Sequence, residues 1–257
     1  VMERIAGKMR FCVLTIFPEM FDAFAGHGIM RRAVESGKIR LEPVNIRDFA
    51  EGRHKVTDDR PYGGGSGMVM KPEPLAAAIE TAKTELPEAP VVLLTPQGRR
   101  FDQDTARQYA ACKEMIFICG RYEGLDERIC EAYVDDEISI GDYVLTGGEL
   151  PAMVVMDAVI RHIPGVLGAA DAAECDSFSA GRLEHAHYTR PGIFEQKQVP
   201  GVLLSGNHRA IEDWRRESAL LRTILRRPDL LEQTGLTEPE KKIVQKWCRR
   251  LEALASD

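Results

Sequence analysis

Between residues 10 and about 164, short apolar runs alternate with segments of helical periodicity, and no other feature of the sequence constrains the fold so tightly. The strand candidates are residues 11–17, 41–46, 91–95, 115–119 and 138–145, separated by helical stretches at 18–36, 72–84, 102–112, 126–132 and 150–162. Strands that are apolar at nearly every position cannot turn one face to water. They belong in a parallel sheet covered by helices on both faces, and the expected class is α/β. The 257 residues suffice for one large domain or two smaller ones.

The character changes after residue 165. Residues 165–173 (GVLGAADAA) are small and weakly polar, which suggests a linker, and we set its bounds at 166–181. Residues 185–200 are loop-like, and two helices are expected at 207–227 and 238–255, with Pro228 as a stop after the first. The domain scheme is therefore an extension over residues 1–8, a sheet domain over 9–165, the linker, and a helical domain over 182–257. On a helical wheel Ile211, Trp214, Leu221, Ile224 and Leu225 share one side of the first helix. Arg209, Arg215, Arg216, Arg222, Arg226 and Arg227 gather within about 140° on the other. A solvated face and an RNA-binding face explain those arginines equally well.

Charge is unevenly spread. The formal net charge is −6, yet residues 182–257 hold 14 Lys+Arg against 11 Asp+Glu, or +3, leaving 20 against 29, or −9, for the rest. Backbone phosphates respond to local patches rather than to net charge, so a polyanionic partner is permitted without being demanded. The six cysteines contain no CxxC pair and are expected as reduced packing residues. No apolar run approaches the ~20 residues that span a bilayer. Residues 1–8 carry no apolar signal core, so a cytoplasmic protein is expected.

Glycine-bearing loops carry the chemical signal. Residues 58–68 (DDRPYGGGSGM) place four glycines in five positions. No Gly-Lys-Ser/Thr follows, so this is not a P-loop, and Met70 stands where a dinucleotide GxGxxG needs its last glycine. A flexible loop and a loop that closes over a planar ligand or RNA backbone both remain open. Thr95-Pro96-Gln97-Gly98 follows one strand, and Cys119-Gly120-Arg121-Tyr122-Glu123-Gly124 follows another. Residues 140–151 (IGDYVLTGGELP) form the last such stretch. Ligands of open α/β sheets settle outside the carboxyl ends of strands, so these turns point to one pocket lined by main-chain groups. Ordinary strand-to-helix turns use glycine as well.

In this order the motifs Pro-Tyr-Gly-Gly-Gly-x-Gly-Met, Pro-Gln-Gly, Cys-Gly-Arg-Tyr-Glu-Gly-x-Asp-Glu-Arg and Ser-Ile-Gly-Asp-Tyr-Val-Leu-x-Gly-Gly-Glu-Leu-Pro-Ala closely resemble the bacterial tRNA (guanine-N1)-methyltransferases that act at nucleotide 37. The resemblance continues through residues 163–168, Asp176-Ser177-Phe178, His187-Tyr188-Thr189-Arg190-Pro191 and residues 202–208, covering nearly everything from residue 9 to about 231. It implies a knotted SPOUT fold, in which the segment near 140–151 threads an earlier loop into a deep trefoil. Periodicity could not have indicated this, since topology rules argue against knots.

The resemblance also implies S-adenosylmethionine as methyl donor, bent in the knot, with adenine and ribose against Leu94, Thr95, Pro96, Gly120, Ile140, Gly141, Tyr143, Leu145, Gly147, Gly148 and Pro151. Asp142 and Val144 lie in the same loop, and Tyr122 and Glu123 approach the methionine part. It further implies a homodimer that completes each active site across its interface, and a tRNA anticodon stem-loop as partner. Some family members depend on magnesium, although no ligand cluster in the sequence announces a metal site.

Guanine N1 carries a proton at neutral pH, and removing it places negative charge on O6. A carboxylate and an arginine are the minimal kit. By resemblance the base is Asp176 and the O6 partner is Arg161. Taken alone, Asp176 reads as a turn or N-cap aspartate, and Arg161 as a cation at a helix C-terminus. One position departs from the family pattern, because Cys175 stands where an acidic residue is expected and Glu174 is one place earlier. Ser177-Phe178 holds the alignment on Asp176. His185 and His187 lack a third ligand for a metal, which favours a loop role beside RNA or the linker. Arg190, Arg209, Arg215 and Arg216 are the RNA-binding candidates.

Three other readings compete. The first is another knotted methyltransferase, acting on rRNA or on a ribose 2′-hydroxyl, and a ribose methylase would tolerate Asp176→Ala. A non-catalytic RNA-binding module would fail to bind S-adenosylmethionine. A nucleotide-dependent oxidoreductase is weakened by the missing GxGxxG.

Overall fold

The structure is a computed structural model that describes residues 9–168, 173 and 176–255. Glu174, Cys175, most of the expected linker between 169 and 175, and the extension 1–8 lie outside the described residues. The chain divides into two compact units, Val1–Ala170 and Asp171–Asp257.

The first unit opens with β1 (Met9–Thr15), α1 (Met20–Ala25), α2 (Gly28–Glu35) and β2 (Ile39–Asn45). The single helix expected over 18–36 is broken in two because Gly28 sits at φ +62°, outside the right-handed helical region. A 3₁₀ turn (Ile46–Phe49) leads to a short hairpin, β3 (Asp58–Asp59) and β4 (Val69–Met70), which spans the glycine-rich loop. Then follow α3 (Pro72–Glu85), β5 (Val91–Arg100), α4 (Gln103–Ala110), β6 (Glu114–Cys119), α5 (Glu127–Tyr133), β7 (Asp136–Ser139) and α6 (Glu149–Ile160).

The five long strands pair in parallel in the order β2-β1-β6-β5-β7. Their side chains alternate between two cores, as a sheet buried on both faces requires. Phe11, Val13, Met115, Phe117, Val92 and Leu94 face α2, α4 and α6, with the Phe11 and Phe117 rings stacked at 6.0 Å. Cys12, Leu14, Ile116, Ile118, Val91 and Leu93 face α3 and α5. Val166, at the start of the expected linker, is buried in the first of these cores.

Two strand boundaries differ from expectation, both beside the site. β5 does not end at Thr95; it shifts register between Leu94 and Arg99 and continues to Arg100, so residues 95–98 form a bulge inside the strand. β7 lies earlier than 138–145 and carries acidic residues. Arg99 neutralises Asp136 through two hydrogen bonds (3.1 and 2.6 Å), and Tyr109 Oη–H donates to the same carboxylate at 2.7 Å.

The second unit contains the hairpin β8 (Ile193–Phe194) and β9 (Lys197–Gln198) within the segment expected to be loop, then α7 (Gly201–Leu204), α8 (His208–Arg226), α9 (Pro228–Thr234) and α10 (Glu238–Ala255). Pro228 opens α9 as well as closing α8, because proline is tolerated at the first helical position. The buried stripe of α8 is Leu220 and Thr223, whereas Leu221 and Leu225, expected on the apolar face, are exposed.

Arg182 ties this unit together. It donates to both Glu240 oxygens (2.8 and 2.9 Å) and to the Gly235 carbonyl (2.6 Å). Glu240 also accepts the Thr237 backbone N–H at 2.8 Å, half of a capping box for α10. These bonds, Arg182 foremost, hold the Glu240 carboxyl at about 2, down from 4.5. The depressed folded-state value means that Glu240 contributes fully above pH 4.5 and that its contribution is lost as pH falls toward 2. The difference is worth about 3 kcal/mol at neutral pH. Glu240→Gln should therefore lower stability at pH 7 and flatten the acid limb of unfolding between pH 4.5 and 2, as followed by circular dichroism.

Candidate active site

A cavity of about 320 Å³ opens at the bulge of β5 and the carboxyl ends of β6 and β7. Its walls are the β5 bulge, the loop after β6 and the loop 140–148, all of which depend on glycine at contacts between main chains. A Cβ on Gly148 would lie 2.6 Å from Cys119 Cα and 2.9 Å from the Gly120 nitrogen. In its place the Gly148 N–H donates to the Gly120 carbonyl at 2.9 Å. Gly98 meets the backbone of Glu137 and Ile138 in the same way, seating the bulge on β7. Backbone donors and acceptors are thereby brought to the rim without intervening side chains.

Fourteen of the fifteen residues expected around the donor line this single cavity: Leu94, Thr95, Pro96, Gly120, Tyr122, Glu123, Ile140, Gly141, Tyr143, Val144, Leu145, Gly147, Gly148 and Pro151. Asp142 is exposed and does not line it. Arg121, Gly124, Leu125, Glu127, Cys130, Glu137 and Thr146 also form its walls, and sequence reasoning had not assigned them. Tyr122 is held at φ +60°, a left-handed conformation that is costly for an aromatic residue and recurs at ligand sites. Val144 is 83% exposed and Tyr143 55% exposed, so the apolar residues of this loop serve the cavity mouth and not the core.

The glycine-rich loop 61–68 docks on the same rim. The Glu123 N–H donates to the Met68 carbonyl at 3.0 Å, and the Met70 N–H donates to the Gly124 carbonyl at 2.9 Å. A Cβ on Gly67 would strike the Glu123 side chain, with Cδ 2.8 Å away. The loop is therefore part of the site's frame, with Tyr62 fully exposed at its tip.

A sulfonium-bearing nucleoside fits these walls. Main-chain groups suit an adenine edge, apolar side chains suit its faces, and the carboxylates of Glu123, Glu127 and Glu137 suit a cation. Among the described residues, no three His, Cys, Asp or Glu side chains gather to hold a metal ion.

Arg161 caps the C-terminus of α6, the helix whose first turn lines the cavity through Pro151. It borders a shallow hollow with Phe24, Met153, Val154, Asp157 and Ala158. Asp176 belongs to the second unit, where its carbonyl accepts the Ser179 N–H at 3.2 Å. The turn that follows is fastened to α8 by the Leu183 N–H donating to Thr223 Oγ1 at 3.0 Å. Arg190 and Arg209 are exposed. Arg215 and Arg216 pair with Glu212 (2.7 Å) and Asp213 (3.6 Å) one turn back on α8, as on a solvated face. His187 sits 3.2 Å from Glu184 and 4.5 Å, centroid to centroid, from His185, which also packs near Trp214.

Residues 9–233 match the family described as tRNA (Guanine-1)-methyltransferase TrmD. The chain belongs to that family. A tRNA (guanine-N(1)-)-methyltransferase of Desulfatibacillum aliphaticivorans is 58% identical over 243 residues, covering 95% of this chain and 93% of the relative. That of Geobacter sulfurreducens is 59% identical over 233 residues (91% and 95%), and that of Anoxybacillus flavithermus 54% over 240 (93% and 98%). Family membership makes the chain an enzyme that methylates tRNA guanine at N1. No helix among the described residues is long and apolar enough to cross a membrane.

Because the Gly148 contact is with backbone, no side-chain adjustment can relieve it. Gly148→Ala should abolish detectable binding of S-adenosylhomocysteine in isothermal titration, whereas Gly168→Ala, where nothing lies within 4 Å of the added Cβ, should bind as the parent does.

Proposed function

We propose that the enzyme transfers the methyl of S-adenosylmethionine to N1 of guanosine 37, just 3′ of the tRNA anticodon, in the cytoplasm. The observation that carries the reading is one cavity, lined by the β5 bulge and by the glycine-bearing loops after β6 and β7, that gathers fourteen residues whose pattern pointed to the donor. Bound there, S-adenosylmethionine supplies an electrophilic methyl on sulfur and leaves as S-adenosylhomocysteine. Glu123 lies on the cavity wall and places negative charge near a cationic ligand. The loop 140–148, hydrogen-bonded against the loop after β6, is the threaded segment of a trefoil knot.

Asp176 takes the N1 proton, and Arg161 receives the charge that develops on O6, so that the ring nitrogen is nucleophilic when it meets the methyl. Much of the acceleration comes from alignment. Guanine must leave its stack for N1, which lies on the Watson–Crick edge, to be reached. The second unit, with Arg190, Arg209, Arg215 and Arg216, grips the anticodon stem-loop.

The enzyme acts as a homodimer, and α6 supports this. Arg161 follows Pro151 by ten residues on one helix, about 15 Å along its axis, so it is carried away from the cavity of its own chain. The outer face of the helix exposes two large apolar side chains, Leu150 and Val154, with Asp157 on the same side, and Val154 and Asp157 line the Phe24 hollow. A helix of that kind is expected to be covered. A second copy covers it and receives Arg161.

Unmodified tRNA transcripts with guanosine at position 37, incubated with the enzyme and labelled donor, should gain one methyl at N1 of that base by mass spectrometry. Transcripts with adenosine there should gain none, and methylation at another position would sink the assignment. Asp176→Asn should bind donor and tRNA normally while kcat falls about 10²–10⁴-fold. Normal turnover would remove Asp176 from the role of base.

A further inference from the structure

At the cavity wall lies an ion pair, Arg121 with Glu149, that the proposed chemistry does not use. Glu149, the first residue of α6, is 1% exposed, and its Oε2 lies 2.8 Å from Arg121 Nη2. Its other oxygen accepts the Thr15 hydroxyl at 2.7 Å, and that hydroxyl in turn accepts the Phe17 N–H at 3.0 Å. The Arg121 guanidinium lies over the Phe17 ring, 4.6 Å from its centroid. Its Nη1 donates to the Thr146 carbonyl at 3.1 Å. A Cβ on Gly147 would fall 2.6 Å from Arg121 Cζ, so the side chain lies flat against that glycine. Three chain segments, the ends of β1 and β6 and the start of α6, thus meet at one pair of charges.

Stability is a poor reason for this arrangement. Burying two charges costs desolvation that their attraction scarcely recovers, and apolar replacements of such pairs are often as stable. Arg121 Nε and Glu149 Oε2 make no hydrogen bond, so what the pair supplies comes from its charge contact and its bonds to Thr15 and Thr146, which favour one geometry. Here that geometry sets the loop 140–148 against Gly120, because Arg121 bridges to Gly147 and the Gly148 N–H bonds to the Gly120 carbonyl. Both glycines line the donor cavity.

We propose that Arg121 and Glu149, keyed by Thr15, are positioning residues that hold the two glycine loops in the shape that accepts S-adenosylmethionine. The inference rests on the cavity being the donor site. Neither side chain is assigned a role in proton transfer, so their loss acts first on donor affinity.

The test is titration of the full-length protein with S-adenosylhomocysteine, together with steady-state kinetics on tRNA. Arg121→Met and Glu149→Gln should each raise Kd for S-adenosylhomocysteine and KM for the donor by about 10–100-fold, with KM for tRNA unchanged. Thr15→Val should produce a smaller rise, about three- to tenfold. Arg121→Lys should recover part of the loss, since it keeps the charge but not the planar fork that stacks on Phe17. The double variant Arg121→Met/Glu149→Gln should bind better than the product of the single losses predicts, because neither partner is left as an unpaired buried charge. Affinity within twofold of the parent in the folded single variants would overturn the proposal. So would parallel losses of donor and tRNA affinity that track the fall in Tm, since these would mean general damage. If Arg121→Met or Glu149→Gln does not fold, Thr15→Val and Arg121→Lys decide by the same titration. Failure of the parent itself to bind S-adenosylhomocysteine would strike the donor-site reading and would be visible before any variant is compared.

Discussion

Contact of backbone with backbone at Gly98 and Gly148 is the constraint from which the site follows. Parallel strands in a sheet sit side by side, but the loops beyond their carboxyl ends normally diverge, because side chains keep them apart. Here the Gly148 position is separated from Cys119 Cα by less than any side chain could occupy, and Gly98 lies against the backbone joining Glu137 to Ile138. Two loops and a strand bulge are thereby compressed into one wall, and the polar groups of the main chain become the recognition surface. Specificity for a nucleoside then needs few side chains, which explains why the cavity is rich in glycine and aliphatic residues and modest in charge.

This economy shaped what could be read from the sequence. The α/β class was legible because both faces of the sheet are buried and the strands are correspondingly apolar. β7 was misplaced for an equally physical reason. Its Asp136 is masked as a strand residue by its charge, yet the fold neutralises it with Arg99 and Tyr109 from distant positions. The apolar run after it looked like strand, although Tyr143 and Val144 are exposed and serve the cavity mouth. The break between α1 and α2 was carried by Gly28 in a left-handed conformation, which periodicity over 18–36 does not register.

The candidate site was legible at the level of motifs and opaque at the level of partners. Glycine-bearing turns at strand ends announced a pocket, and their order identified the family. No spacing rule joins Thr15 to Glu149, 134 residues apart, or places Arg121 over Phe17. Such contacts exist only once the sheet order β2-β1-β6-β5-β7 brings β1 beside β6. The arginines of α8 show the same limit, since the wheel left a solvated face and an RNA-binding face equally open and could not show that Arg215 and Arg216 pair with Glu212 and Asp213 one turn back.

α6 joins these levels. Its N-terminus is bound into the cavity wall through Glu149 and Gly148, its buried face packs on the sheet through Val155, Met156 and Val159, and its far end carries Arg161. A rigid helix transmits position along its axis more faithfully than a loop could. On the proposed reading, the ion pair at its first turn would therefore also set where Arg161 is presented. If the proposed dimer holds, donor shape and presentation of the arginine to a neighbouring copy become mechanically one problem, met at the first turn of one helix. A loop-borne arginine would need its own fixing contacts; here the packing of α6 supplies them.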